Sequence, residues 1–321
     1  MRARGLSLLI VAILTQSGSL QAQDDPCLRR VVPVNVLLSD GTHVRDMEAQ
    51  NFKASIHGTP LKIISVTPEL KPRRIMIVLG ASGSMIGSGY WATYLQVAAN
   101  LMESQPAGTL IGLIVFSTKV NGILPLTDQF EKLQTELRSL RDVSAALPSR
   151  GSGTALWDSI RNASQIFASP MDGDSIYALT DGGDNASKVR PGNLSKALVA
   201  QGIRLFSFAI ENRDAGYGLA ELNGPVYMLE LVSDSGGLQT VISNRSLDAK
   251  KPFIDKSGKR TFLATALQAQ FQLIPSYYRM ELELPVSLQQ ATSWKLEVKG
   301  LKRSDLRVIY PQKLAACGGA K

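Results

Sequence analysis

Apolar positions along the chain change period twice. From residue 29 to 70 they read as strands. Val31 to Leu38 (VVPVNVLL) is apolar and β-branched, and Ser39-Asp40-Gly41-Thr42 then reads as a turn. Phe52 to Ile56 and Leu61 to Thr67 alternate on either side of the turn His57-Gly58-Thr59-Pro60. The rhythm differs from residue 74 onward. Ile75 to Leu79 (IMIVL), Leu110 to Phe116 (LIGLIVF), Ser175 to Leu179 and Ile203 to Ile210 are short apolar runs, as strands covered on both faces would be. Val120 to Leu124 and Leu238 to Ile242 add two shorter strands. Helical spacing falls between them, over Tyr90 to Met102, Asp128 to Leu140, Thr154 to Phe167, Asn193 to Ala200 and Thr261 to Gln272. Alternation returns from 276 to 310, at Tyr278, Met280, Leu282 and Leu284, then Trp294, Leu296 and Val298, then Leu306, Val308 and Tyr310.

Strands alternating with helices predict an α/β fold with a doubly wound, mainly parallel sheet. The two β-rich ends predict a small second domain built from both flanks. The expected boundaries are 23–73 for the first flank, 74–272 for the centre and 273–321 for the second flank. Trp91, Trp157 and Trp294 are expected in the core or half-buried.

Composition narrows the function. Of 321 residues, 44% are hydrophobic and 19% charged, so the whole is neither disordered nor a coiled coil. Net charge is +8, but no run of Lys and Arg exceeds two, so a nucleic-acid groove is not indicated. Only two histidines occur, His43 and His57, both outside the centre. That argues against a Ser-His-Asp hydrolase and a His-ligated zinc enzyme.

Residues 1–22 read as a cleaved signal peptide, with an uncleaved anchor as the alternative. Arg2 and Arg4 precede an apolar stretch from Leu6 to Leu14, and a small-residue site ends at Ala22. The stretch is far short of the ~20 residues of a membrane span, and no later one reaches that length. The expected location is secreted, periplasmic or cell envelope. In an oxidising compartment Cys27 and Cys317 can pair and tie the two ends together; the alternative is two free thiols.

The richest stretch is Leu79-Gly80-Ala81-Ser82-Gly83-Ser84-Met85-Ile86-Gly87, between a buried strand and a helix, where open α/β sheets bind ligands. Gly80, Gly83 and Gly87 make a loose dinucleotide fingerprint, and with it a remote oxidoreductase alternative. Gly80 and Ser82 begin a nucleophile elbow, but Ser84 stands where its last glycine belongs. A third chemistry uses more of the chain. Ser82 and Ser84 follow one strand, Thr154 opens a helix after Gly151-Ser152-Gly153, and Asp181 follows another strand in Thr180-Asp181-Gly182-Gly183-Asp184-Asn185. Hard oxygens from three loops at one sheet edge suit Mg²⁺ or Mn²⁺.

These segments, in this order, resemble a von Willebrand factor type A domain over about residues 74–245. The flanks resemble the bacterial secreted subgroup described from acidobacteria, through Val34-Asn35-Val36, Phe52, Thr127-Asp128, Gly236-Gly237 and part of a closing motif at Ser276 to Leu282. The resemblance implies a non-enzymatic protein-binding or adhesion module with a metal-ion-dependent site at Ser82, Ser84, Thr154 and Asp181. If the ion is kept, it implies a partner that completes the coordination with an acidic side chain. One position departs from the pattern: Gly80 stands where the family has its first aspartate. That leaves one carboxylate, so the site is expected to be weakened or lost, with a metal-independent scaffold as the alternative. Asp184 is expected to cap or solvate its loop, and Asp158 to serve its helix.

Overall fold

The structure is a computed structural model and describes residues 25–87, 89–142, 153–211, 219–246, 253–254, 257–300 and 305–318. Residues 1–22, expected to be a signal peptide, and Gly151-Ser152 lie outside the described residues. The strands are β1 (Arg29–Leu38), β2 (Phe52–Ile56), β3 (Thr59–Leu70), β4 (Arg74–Gly80), β5 (Leu110–Phe116), β6 (Val120–Thr127), β7 (Ser175–Leu179), β8 (Arg204–Glu211), β9 (Gln239–Ser243), β10 (Ser276–Glu283), β11 (Thr292–Ser293), β12 (Lys295–Val298), β13 (Leu306–Ile309) and β14 (Lys313–Leu314). The helices are α1 (Gly83–Gly87), α2 (Trp91–Glu103), α3 (Phe130–Asp142), α4 (Leu156–Ile166), α5 (Pro191–Gln201), α6 (Leu219–Ser235) and α7 (Phe262–Gln272).

The central sheet runs β6-β5-β4-β7-β8-β9. Its strands are parallel except β6, which pairs antiparallel to β5. Only Ser117-Thr118-Lys119 join those two strands, too few for a crossover, so the chain must double back. Continuous apolar runs are explained by cover on both faces. Ile75, Ile77 and Leu79 of β4 pack in the cluster with Leu101 of α2, Leu137 of α3 and Phe271 of α7. Met76 and Val78 point the other way, to Ile160 of α4, Leu198 of α5 and Met228 of α6. This is the expected three-layer α/β fold. Trp91, Trp157 and Trp294 are all buried.

Helix α6 has no counterpart in the sequence pattern. Gly and Pro both disfavour a helix interior, yet Pro225 lies inside the helix, beside Gly224. Its period is also blurred: Met228, Leu231 and Val232 are buried, while Val226, Tyr227 and Leu229 are exposed.

The second sheet is antiparallel, in the order β12-β2-β3-β10-β1-β13, so it takes strands from both flanks. Val32, Val34 and Val36 of β1, with Met280 and Leu282 of β10 and Trp294, form its core. The other face of β1 meets the central domain, where Leu37 joins the α2 and α7 cluster. Asn35 and the fully buried Arg204 hold this seam. Arg204 donates from Nε to the Gly236 carbonyl (3.0 Å), from Nη1 to the Leu273 carbonyl (2.8 Å) and from Nη2 to Asn35 Oδ1 (2.7 Å). Asn35 Nδ2 donates in turn to the Ser276 carbonyl at 2.6 Å. A disulfide joins Cys27 and Cys317, with Cα atoms 5.0 Å apart, and excludes the free-thiol alternative.

Candidate functional site

Four parallel strands end in one row. Gly80 of β4 stands opposite Phe116 of β5, Leu79 opposite Leu179 of β7, and Leu179 opposite Phe208 of β8. The chain leaves the row in loops still tied to it. Ala81 N–H donates to the Phe116 carbonyl (2.7 Å), and Thr180 N–H to the Phe208 carbonyl (3.2 Å). Ala155 N–H donates to the Ser117 carbonyl at 2.7 Å, which brings the start of α4 to the same edge. Gly80, Ser82, Ser84, Thr154 and Asp181 therefore all sit at the carboxyl edge of the central sheet.

Their environments differ. Ser82 is buried, and its carbonyl accepts from Ile86 N–H (3.0 Å) to close the first turn. Ser84 lies within α1. Thr154 and Asp181 are half-buried. Asp181 Oδ1 accepts from Gly183 N–H at 3.3 Å, so its carboxylate also shapes its own loop. The Thr154 and Asp181 loops are laced together. Thr154 N–H donates to Asn185 Oδ1 (2.7 Å), and the Thr154 carbonyl accepts from the N–H groups of Asn185 and Ala186, each at 3.1 Å.

Asp158 and Asp184 brace this edge: Asp184 caps its loop as expected, while the Asp158 carboxylate holds the loop before α5 rather than its own helix. Asp184 Oδ2 accepts from Trp157 N–H in the first turn of α4 (3.0 Å) and from Ser187 Oγ (2.5 Å). Asp158 Oδ1 accepts from the N–H groups of Lys188 (3.1 Å) and Val189 (2.9 Å), while its own N–H donates to Ser187 Oγ (3.0 Å). Burial pushes the Asp184 carboxyl up from its ordinary range, against hydrogen bonds that pull it down. Both carboxylates are occupied with backbone donors, an arrangement that fixes a loop on a helix N-terminus.

Two features of the edge have little signal in the sequence. Asn185 stitches two loops across a separation of 31 residues. Gly224 of α6 lies directly on the loop that follows Asp181: a Cβ at Gly224 would stand 1.8 Å from the Gly182 carbonyl oxygen. Gly182 has φ +90°, a conformation that favours glycine, and packs against Pro225.

A divalent cation at this edge would need hard oxygen donors, carboxylates above all. The donor set offers one carboxylate, Asp181, beside hydroxyl-bearing residues. At Gly80 there is no second carboxylate, and an added Cβ would lie 3.3 Å from both the Phe116 ring and the Leu179 carbonyl oxygen, a tight contact that a shift of a few tenths of an ångström relieves. Among the described residues no cluster of three or more His, Cys, Asp or Glu side chains is found. Mg²⁺ holds its waters strongly and leans on carboxylate charge, so this set does not match a tight site.

Residues 75–183, about a third of the chain, match the family model described as von Willebrand factor type A domain. They run from β4 through the Asp181 loop. No curated protein matches the chain. Among solved structures, the conserved hypothetical protein BatB of Bacteroides thetaiotaomicron is 19% identical, with a TM-score of 0.46, over 62% of this chain and 96% of that one. Proximal thread matrix protein 1 of the mussel byssus, in a form with a zinc-occupied MIDAS motif, is 16% identical, with a TM-score of 0.48, over 66% and 49%. The pilus adhesin SpaC of Lactobacillus rhamnosus GG is 11% identical, with a TM-score of 0.44, over 83% and 47%. The chain thus spans about half the length of the mussel and pilus proteins. No helix among the described residues is long and apolar enough to cross a membrane.

Proposed function

Taking the von Willebrand A-like α/β fold as its premise, we propose that this chain is a secreted, non-enzymatic protein-binding module of adhesion type. Its contact surface is the loop edge carrying Ser82, Ser84, Thr154 and Asp181. Gly80 disarms the metal site there, so partner binding does not depend on Mg²⁺ or Mn²⁺. The reading places the protein in the bacterial secreted subgroup and in the periplasm or cell envelope.

The observation that carries this reading is the bracing of the edge. The Thr154 and Asp181 loops are held to each other and to α4 by Asn185, Asp158, Asp184 and Ser187. A surface fixed by its own hydrogen bonds is pre-organised, which lowers the entropy cost of binding. The seam to the flank sheet lies at the other end of the central strands, where Arg204 opens β8.

The test uses a photo-crosslinker at the exposed Lys188, on the loop edge, and at the exposed Lys62, on the flank sheet, in protein secreted by its own host. A partner crosslinked from 188 but not from 62, in the presence of EDTA, supports the reading. Crosslinking from neither position, from 62 alone, or only when metal is restored, contradicts it.

A further inference from the structure

A second concave site lies between the amino end of the central sheet and the flank sheet. It is a cavity of about 290 Å³, walled by β1, the loop before β7, the end of α5, β10 and the carboxyl-terminal segment. None of the loop-edge residues lines it. Its apolar wall includes Met171, Val199 and Pro311. Its charged wall is mainly cationic: Arg30, Arg279 and Lys313, against Asp172.

Those cations are unequally matched. Lys313 Nζ lies 2.6 Å from Asp234 Oδ2, so that charge is balanced. Arg279 is 3.8 Å from the largely exposed Asp172. Arg30 hydrogen-bonds to carbonyls: Nε to Ala315 (3.1 Å), and Nη1 to Cys27 (3.1 Å) and Arg29 (2.6 Å), with the Asp25 charge nearby. Its Nη2 is buried with no partner.

Other unmet polar atoms collect at the same place. Tyr277 is 5% exposed, and its hydroxyl is buried without a partner. Burial raises its pKa, so the hydroxyl keeps its proton and can donate. Gln201 adds a buried, unpartnered side-chain oxygen. Of the nine such atoms among the described residues, three belong to residues lining this one cavity. Buried polar groups almost always have partners, and a cluster without them marks a place for water, an ion or a ligand.

We propose that this cavity binds a small ligand with an oxyanion head, a carboxylate or a phosphate, on a short apolar body. Arg30 Nη2 and the Tyr277 hydroxyl supply donors, Arg30 and Arg279 supply charge, and the apolar wall takes the body. The volume is at the lower end of small-molecule sites, and a joint between two structural units is a usual place for one.

The disulfide-linked mature chain is melted with hexanoate, with inorganic phosphate and with hexanol. An anion at about 100 times its Kd should raise Tm by about 5–10 °C. Hexanoate alone shifting Tm identifies a carboxylate head, and phosphate shifting it at least as much identifies a phosphate head. Tyr277→Phe removes a hydroxyl that has no protein partner, so the unliganded variant should melt no lower than wild type. It should bind the anion about ten- to a hundredfold more weakly. Arg30→Gln should abolish the shift; if that variant fails to fold, Arg279→Gln gives a weaker version of the same loss. The proposal fails if neither anion shifts Tm, if hexanol matches hexanoate, or if Tyr277→Phe binds as wild type does.

Discussion

Replacing Gly224 by alanine puts a methyl carbon where the structure has no room. A Cβ there stands 1.8 Å from the Gly182 carbonyl oxygen and 2.7 Å from its carbon. Relief requires α6 or the loop to retreat by about 1.5 Å, and both groups in the clash belong to backbone, so no rotamer change absorbs it. In an unobstructed helix interior this change would gain about 1 kcal/mol. Overpacking costs about 1–3 kcal/mol, and a backbone clash belongs at the top of that range. The net loss is about 2 kcal/mol, a fall in Tm of about 4–8 °C. Gly192→Ala, in α5, is the control, because a Cβ there has nothing within 4 Å. Thermal melts and urea unfolding of both variants give the comparison. Gly192→Ala should be unchanged or slightly raised. If Gly224→Ala is as stable as wild type, the seating of α6 on the Asp181 loop is wrong.

Further outcomes follow from the seam, the imidazole and the disulfide. A double-mutant cycle with Arg204→Met and Asn35→Leu should give a coupling of about 1.5–3 kcal/mol, since their bond is charge-assisted and buried; additivity within about 0.5 kcal/mol would refute it. Burial, with Arg45 nearby, lowers the His43 pKa below 6.5. The unfolded chain therefore takes up a proton as pH falls through that value while the folded chain refuses it, so stability is lost from there downward. Tm should fall between pH 7 and about 5.5, and His43→Gln should lessen that fall; equal falls in both proteins would count against it. The Cys27–Cys317 bridge closes a separation of 290 residues. The double Cys→Ser variant should lose about 2–5 kcal/mol in urea unfolding, and an unchanged midpoint would show the bridge to be idle.

How much of this was legible depends on where each signal lies. The β4 run Ile75 to Leu79 announces a strand covered on both faces, because that is the condition under which alternation disappears. The flanks announce themselves by period two, and Trp294 and Met280 do lie in their shared core. Helix α6 escaped because Gly224-Pro225 looks like punctuation, and only the Gly182 loop beneath it explains why glycine is there. The direction of β6 follows from the shortness of its connection to β5, a length argument that the apolar pattern does not carry. At the site, Thr154 and Asp181 are visible because each follows a recognisable glycine-rich or strand-end context. Their brace is not, since Asn185, Asp158 and Asp184 act across 27 to 31 residues. Arg204 gave no warning either: it sits in the apolar run IRLFSFAI, and its partners come from Asn35, Gly236 and Leu273.

The proposed function requires an edge whose metal site is disarmed by Gly80. Calorimetric titration of Mg²⁺ into wild type and Gly80→Asp tests it most directly, with Gly80→Ala reporting the effect of a Cβ beside Phe116 alone. Restoring a carboxylate next to Asp181 should tighten Mg²⁺ binding by at least about tenfold, with Gly80→Ala remaining as weak as wild type. Wild type binding Mg²⁺ as tightly as Gly80→Asp would contradict the account, because one carboxylate would then suffice and the edge would be a working metal site.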